Sequence, residues 1–222
     1  MADQPTGSDA VTRHERRDAA ANRQHILATA RTLFAAHGVD QTSMNELARV
    51  AGVGPGTLYR RYAHKGQLCE ALLLDDIQAF CARVERTLAE AGSDASALDL
   101  VGWLIGDLLV MTEGHLPLLA AMQEAAVGPR RGEHFTFPFY RWLNAQLVGL
   151  LSRAVASGEA APLHVEVIAD AIQAAAAPPL FAFQMQQRGL SREQISAALR
   201  QLFVDGLRAT SGPVAGTRRS VV

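Results

Sequence analysis

The stretch Thr42-Ser-Met-Asn-Glu-Leu-Ala-Arg-Val-Ala-Gly-Val-Gly-Pro-Gly-Thr-Leu-Tyr-Arg-Arg-Tyr-Ala-His-Lys65 decides the fold. Ser43 and Glu46 have capping-box spacing: the Ser43 hydroxyl accepts from Glu46 N–H, and the Glu46 carboxylate reaches back to Ser43 N–H. Met44, Leu47, Ala48 and Ala51 follow at i, i+3, i+4 and i+7, one apolar helix face. Ala48 is small where a second helix must cross closely. Gly52 stands where a left-handed helix end costs least, and Val53 turns into the core beneath it. Gly54 is placed as an N-cap, and Pro55 takes the first helical position, where its missing N–H does no harm. Leu58 and Tyr62 share the inward face of this second helix. Pro55, Gly56, Thr57, Tyr59, Arg60 and Arg61 are left outward. The Arg60 and Arg61 forks match guanine O6 and N7 or a phosphate. Thr57 brings a hydroxyl and a methyl, and Gly56 permits close backbone approach. Two short helices with donors and cations on the second suit one helix laid in the major groove of DNA. A solvated helix face also carries Arg-Arg; the agreement of capping box, Ala48, Gly52 and Pro55 favours the DNA reading.

Lys65 follows, the only lysine among 21 basic residues. It stands where the next helix begins, and it is expected to meet a phosphate together with that helix's N–H groups. Charge is distributed in the same sense. Residues 1–66 carry nine Lys/Arg against six Asp/Glu, and residues 67–222 carry twelve against sixteen, so a basic head precedes an acidic body within a net charge of −1. A DNA reader followed by a regulatory body has that asymmetry.

Residues 22–72 resemble the DNA-binding domain of the tetracycline-repressor (TetR) family of bacterial transcriptional regulators. The residues that carry the resemblance are Ile26-Leu27, Ala30, Leu33-Phe34 and His37-Gly38, then Thr42-Ser43, Glu46-Leu47-Ala48 and Ala51-Gly52-Val53. Gly56-Thr57-Leu58-Tyr59, Tyr62, Lys65 and Leu68 complete them. Gly54 stands where the family commonly has Ser, Tyr62 where Phe is usual, and His64 where Ser, Asn or Asp is usual. The resemblance implies that Thr42 or Ser43, Tyr59 and Lys65 hold phosphates, and that Asn45, Pro55, Gly56, Thr57, Arg60 and Arg61 face bases or the groove wall. It implies an all-α fold of about nine helices: an N-terminal three-helix helix-turn-helix DNA-binding domain and a C-terminal helical ligand-binding and dimerisation domain. The expected divisions are a disordered tail over 1–15, the DNA-binding domain over 16–66, the helical body over 67–210 and a flexible tail over 211–222. The family also implies a repressor that binds a palindromic operator in double-stranded DNA as a homodimer through its last two helices, released by a small-molecule effector. The alternative is control by a partner protein.

The remaining sequence is consistent with a helical body. The chain is 49% apolar and 6% aromatic. Helices are expected over 65–88, 96–112, 116–127, 135–157, 165–187 and 191–209. Pro138 marks the true start of one or kinks it, and Pro178-Pro179 breaks another. Ser191 and Gln194 form a second capping box ahead of an Ile195, Leu199, Leu202 and Phe203 stripe. Arg13, Arg16 and Arg17 lead into the first helix, placed either along a phosphate track or minor groove or in solvent. Trp103, Met111, Met122, Phe139, Trp142 and Phe181 are the expected ligand-binding set for an apolar or aromatic effector, with Glu113, His115 and Gln123 as polar anchors. Segment 167–185 is apolar, but Asp170, Gln173 and the two prolines make it a buried helix rather than a membrane span. A cytoplasmic protein is expected. Cys69 and Cys81 lie roughly 18 Å apart along one helix, so they cannot bridge within it. The seven histidines show no H-x-x-x-H spacing, no C-x-x-C occurs, and neither a phosphate loop nor a G-x-S-x-G elbow is present. Neither an enzyme nor a cofactor or metal site is expected.

Overall fold

A computed structural model describes the backbone of residues 7–124 and 137–209, with side chains over 19–122 and 137–209. Nine α-helices run in order among them: α1 (Gly7–His37), α2 (Met44–Val50), α3 (Pro55–Arg61), α4 (Lys65–Ala91), α5 (Ala97–Glu124), α6 (Pro138–Ala156), α7 (Val165–Ala175), α8 (Pro178–Gln186) and α9 (Arg192–Phe203). Residues 7–15, expected in a disordered tail, are helical. After Pro5 no proline occurs before Pro55, and Ala, Arg and Glu sustain helix propensity straight into the apolar periodicity that begins at Ile26. The expected loop over 128–132, Phe135, the tail from 211 and the side chains of Arg13, Arg16, Arg17 and Gln123 lie outside the described residues.

Prolines punctuate the body as expected, with one refinement. Pro138 begins α6. Pro178 and Pro179 open α8 after the N-cap Ala177, and the chain bends by 44° between α7 and α8. The two helices expected over 96–112 and 116–127 meet within α5 at a kink at His115, whose φ of −126° and ψ of 18° leave the helical region. Pro117 accounts for this: it donates no N–H, and its ring crowds the carbonyl one turn back. Segment Ala97–Met122 is long and apolar enough to cross a membrane. Its Leu98, Val101, Leu104, Ile105 and Leu109 are nonetheless buried in protein, as in a core helix.

The chain forms two compact units, Met1–Arg83 with Met111–Pro138 and Val84–Val110 with Phe139–Val222. This division cuts across the expected boundary at residue 66, because α4 and α5 each contribute residues to both units. In the second unit Val84, Leu98, Val101, Leu104, Leu147, Leu151, Ile172 and Phe181 are buried. Gly102 lets α9 close on α5: a Cβ there would overlap the Arg200 guanidinium and lie 3.1 Å from Val204 Cγ2. The α9 capping box forms in full, with Ser191 Oγ accepting from Gln194 N–H and Gln194 Oε1 accepting from Ser191 N–H. The stripe expected behind it divides. Ile195 and Phe203 are buried, while Leu202, near the helix end, is 61% exposed. Helical spacing fixes the direction of a side chain, but not whether anything lies opposite it.

One carboxylate in the α6–α7 connection ties this unit together. Glu159 accepts from Ser96 Oγ at 2.7 Å, Ala97 N at 3.0 Å, Leu98 N at 3.1 Å and Ser157 Oγ at 3.4 Å, and so caps α5 from a distant part of the chain. Its own carbonyl accepts from Ala209 N–H at 2.8 Å. Arg208 next door reaches Asp99 Oδ1 at 2.6 Å. Burial pushes the Glu159 carboxyl up, but the hydrogen bonds from Ala97, Ser96, Leu98 and Ser157 outweigh it and hold it below its ordinary 4.5. We therefore expect Glu159→Ala to cost about 1–2 kcal/mol in urea unfolding at pH 7, the range for a lost helix cap. Because the folded value is depressed, the contribution is present above pH 4.5 and fades as pH falls through the folded value. The gap between wild type and variant should narrow at pH 3.

Candidate nucleic-acid interface

Helices of seven residues such as α2 and α3 are too short to persist alone in water, so their placement depends on what they bury. Met44, Leu47, Ala48 and Ala51 from the α2 segment meet Leu58 and Tyr62 from the α3 segment. Beneath them lie Ile26, Leu27, Ala30 and Leu33 of α1, and Leu68 and Leu72 of α4. Val53, Phe34 and Leu118 pack against this cluster. Ala48 and Leu58 are completely buried, in keeping with the close crossing expected at Ala48. The turn forms as read: Gly52 has φ +62°, its N–H donates to Arg49 O, and Val53 N–H donates to Ala48 O at 3.0 Å. Gly54 O then accepts from Thr57 N–H and Leu58 N–H, which starts α3.

This leaves a polar face outward. Asn45, Pro55, Gly56, Arg60 and Arg61 are exposed, and Tyr59 is 43% exposed. Thr57 is half-buried, and its Oγ1 accepts from Arg60 Nη2 at 3.3 Å, which steadies the Arg60 fork along the helix. Ser43 is exposed, with Oγ accepting from Glu46 N–H at 3.1 Å, so its hydroxyl proton remains available to a phosphate. Only this forward half of the first capping box forms.

Three site residues have roles that the sequence did not reveal. Thr42 is 1% exposed, and its hydroxyl donates to Gly38 O at 2.9 Å, so it secures a loop and does not present that hydroxyl to DNA. Arg61 Nη1 donates to Ala19 O at 3.2 Å, which ties the end of the recognition helix to α1. Lys65, expected on a phosphate, donates from Nζ to Val39 O at 2.8 Å and Asp40 O at 3.2 Å. Their partners are backbone carbonyls 25 to 42 residues away, or one buried turn away, and no residue pattern signals them. Cys69, one turn below Lys65, is fully buried; burial pushes its thiol up to about 12, with Lys65 lowering and Asp40 raising it. It stays a thiol and serves packing.

The expected ligand set is divided between the compact units. Met111 and Met122 belong to the first; Trp103, Phe139, Trp142 and Phe181 belong to the second. Within the second, Phe139 and Trp142 stack at 6.0 Å, and Trp142 Nε1 donates to Glu85 Oε1 at 3.1 Å. Phe181 is wholly buried. Tyr140 and Asn144 both donate to Asp170 Oδ1, and burial, with Asp170 adding to it, pushes the Tyr140 phenol up to about 12. Of the expected anchors, His115 Nε2 lies 3.8 Å from Asp76 Oδ2 on α4, and Glu113 is exposed. Among the described residues, no group of three or more His, Cys, Asp or Glu is placed to hold a metal.

Residues 26–72, which hold this whole interface, match the family model described as bacterial regulatory proteins, tetR family. The chain carries the DNA-binding domain of the tetR family. It is a helix-turn-helix transcriptional regulator and not an enzyme. An HTH-type transcriptional regulator of Staphylococcus aureus strain MRSA252 is 26% identical over 190 residues, 86% of this chain and 96% of that protein. Another from S. aureus strain RF122 / ET3-1 is 38% identical over 79 residues, 36% of this chain and 43% of that one. Among solved structures, Thermus thermophilus FadR, a TetR family transcriptional repressor in complex with lauroyl-CoA, aligns with TM-score 0.68 at 18% identity, covering 88% of this chain and all of that one. Bacillus subtilis FadR in complex with stearoyl-CoA aligns with TM-score 0.61 at 20% identity, covering 83% and 99%. At such identities these two similarities establish the fold.

Two substitutions in this regulator should move stability in opposite directions. Gly52→Ala places a Cβ in open space but forces an L residue into the left-handed region, for a loss of about 1 kcal/mol. Tyr62→Phe removes a buried hydroxyl that has no hydrogen-bond partner, so stability should hold or rise by up to about 1 kcal/mol. Thermal and urea unfolding of both variants measures this.

Proposed function

We propose that this regulator binds a palindromic operator as a homodimer in the cytoplasm and represses transcription until a small apolar or aromatic effector releases it. The observation that carries the DNA-binding half is the outward face of α3, where Arg60, steadied on Thr57, stands beside exposed Gly56, Pro55 and Tyr59. Arg60 is the base reader, and Ser43 and Tyr59 are phosphate contacts. One half-site reader binds weakly, and a two-fold dimer matches a palindrome. Leu180 and Phe183 on α8 and Leu202 on α9 are exposed large apolar side chains, 41%, 45% and 61% respectively, and they support pairing of the last two helices. The two FadR neighbours carry acyl-CoA ligands with long apolar tails, which supports an apolar effector here. Trp103, Phe139, Trp142 and Phe181 in the second unit are the proposed wall.

The direct test selects duplexes from a random library with the purified protein. A two-fold symmetric consensus bound by a dimer is expected; a monomeric footprint, or no enrichment, refutes the reading. On the selected duplex, Arg60→Ala should cost about 1–3 kcal/mol and relax specificity at one base pair of each half-site. Tyr59→Phe should weaken binding evenly across sequences. Trp142→Ala should leave affinity for DNA alone unchanged while altering release by whichever fatty acid, acyl-CoA or aromatic compound raises the melting temperature.

A further inference from the structure

The loop between α1 and α2, residues 38–43, sets where α2 begins, and its backbone carbonyls are captured one after another. Gly38 O accepts from Thr42 Oγ1 at 2.9 Å, Val39 O from Lys65 Nζ at 2.8 Å, and Asp40 O from the same Nζ at 3.2 Å. Val39 and Thr42 are buried, 5% and 1% exposed, so the loop is pinned from inside as well. Only Gln41 and Thr42 separate the last captured carbonyl, that of Asp40, from Ser43, the N-cap of α2 and the proposed phosphate contact. Lys65 is the first residue of α4, the helix that continues from this unit into the next.

We propose that Lys65 is a positioning residue for DNA binding: it fastens the first residue of α4 to the α1–α2 loop and so sets the N-terminus of α2, instead of neutralising a phosphate. Residue type supports this. The other 20 basic residues of the chain are arginines, and this one is the lysine. An ammonium is a compact centre with three tetrahedral donors, so two N–H bonds converge on neighbouring carbonyl oxygens from one atom. A guanidinium is planar and wider, and its fork suits a carboxylate or phosphate better than two carbonyls of one tight loop. Two of the three Lys65 donors are used within the protein. The link also gives α4 a grip on α2, so a movement of α4 at its start is passed to Ser43 through three residues of backbone.

The role in DNA binding rests on the reading proposed above, but the clamp itself is measurable without DNA. Amide hydrogen exchange of the free protein should speed at least about 10-fold over residues 39–46 in Lys65→Met. Lys65→Arg should show the same direction with its charge kept. A phosphate contact would leave exchange in the free protein unchanged. On the duplex selected by the wild-type protein, Lys65→Met should bind about 10-fold more weakly at every salt concentration, with the slope of log K against log salt unchanged. Loss of a phosphate contact lowers that slope by about 0.9 per protomer. Unchanged exchange in both variants, or a slope reduced by that amount, overturns the proposal. If Lys65→Met does not fold, Lys65→Arg decides alone: wild-type exchange and affinity show that charge suffices and overturn the clamp, whereas faster exchange with weaker binding upholds it. If the wild-type protein selects no duplex, the DNA-binding reading fails, and the exchange data still decide the clamp.

Discussion

A recognition helix of seven residues holds its position only because Leu58 and Tyr62 are buried against three other helices. Everything else at the interface depends on that burial. Helix α3 makes too few internal hydrogen bonds to offset its own ordering entropy. Its outward residues are presented at a fixed angle because its inward residues have one place to go. Full burial of a Leu or an aromatic side chain contributes roughly 1.5–3 kcal/mol. Two such residues, with Ala48 allowing close approach, suffice to hold one short element against a scaffold already built by α1 and α4. The orphan hydroxyl of Tyr62 is a cost the site carries inside that same contact.

Around this apolar anchor, polar interactions fix direction more than they add stability. Ser43 starts α2, Gly52 ends it, Arg60 is steadied on Thr57, and Arg61 returns to the backbone of α1. Lys65 and Thr42 collect the carbonyls of the loop that feeds α2. Each such bond contributes only about 1 kcal/mol net. Together they reduce the conformations available to the DNA-facing residues before any DNA arrives, and less entropy is then lost on binding. Glu159 plays the matching part in the second unit, where its carboxylate gathers the start of α5 and its main-chain carbonyl holds the segment after α9.

The helix-turn-helix was legible because its signals are local. A capping serine, a glycine in a left-handed position, a proline at a helix start and apolar residues at helical spacing each act within four residues of chain, and all point the same way. The breaks at Pro138 and Pro178 were legible for the same reason, since a proline acts on its own turn. The start of α1 was not. A charged, glycine-containing stretch reads as a tail, although Ala, Arg and Glu are also good helix formers. The aromatic set of the body was legible as apolar, but not as grouped: composition does not assign Met111 and Trp103 to different units when one helix carries both.

By itself the sequence determined the all-α class, the tetR-type DNA-binding domain and the outward face of α3, because backbone preference and side-chain periodicity are properties of neighbouring residues. Only the tertiary structure decided what Thr42, Arg61 and Lys65 do. Their partners are main-chain carbonyls, which every residue possesses and no residue type announces. Whether a cation meets DNA or its own backbone depends on which carbonyls the folded chain brings within 3 Å or so of it, a fact of three-dimensional proximity. The same holds for Leu202 and Ile195, two members of one apolar stripe. One is covered and the other is not, because burial depends on what the fold places opposite a side chain and not on the side chain's own character.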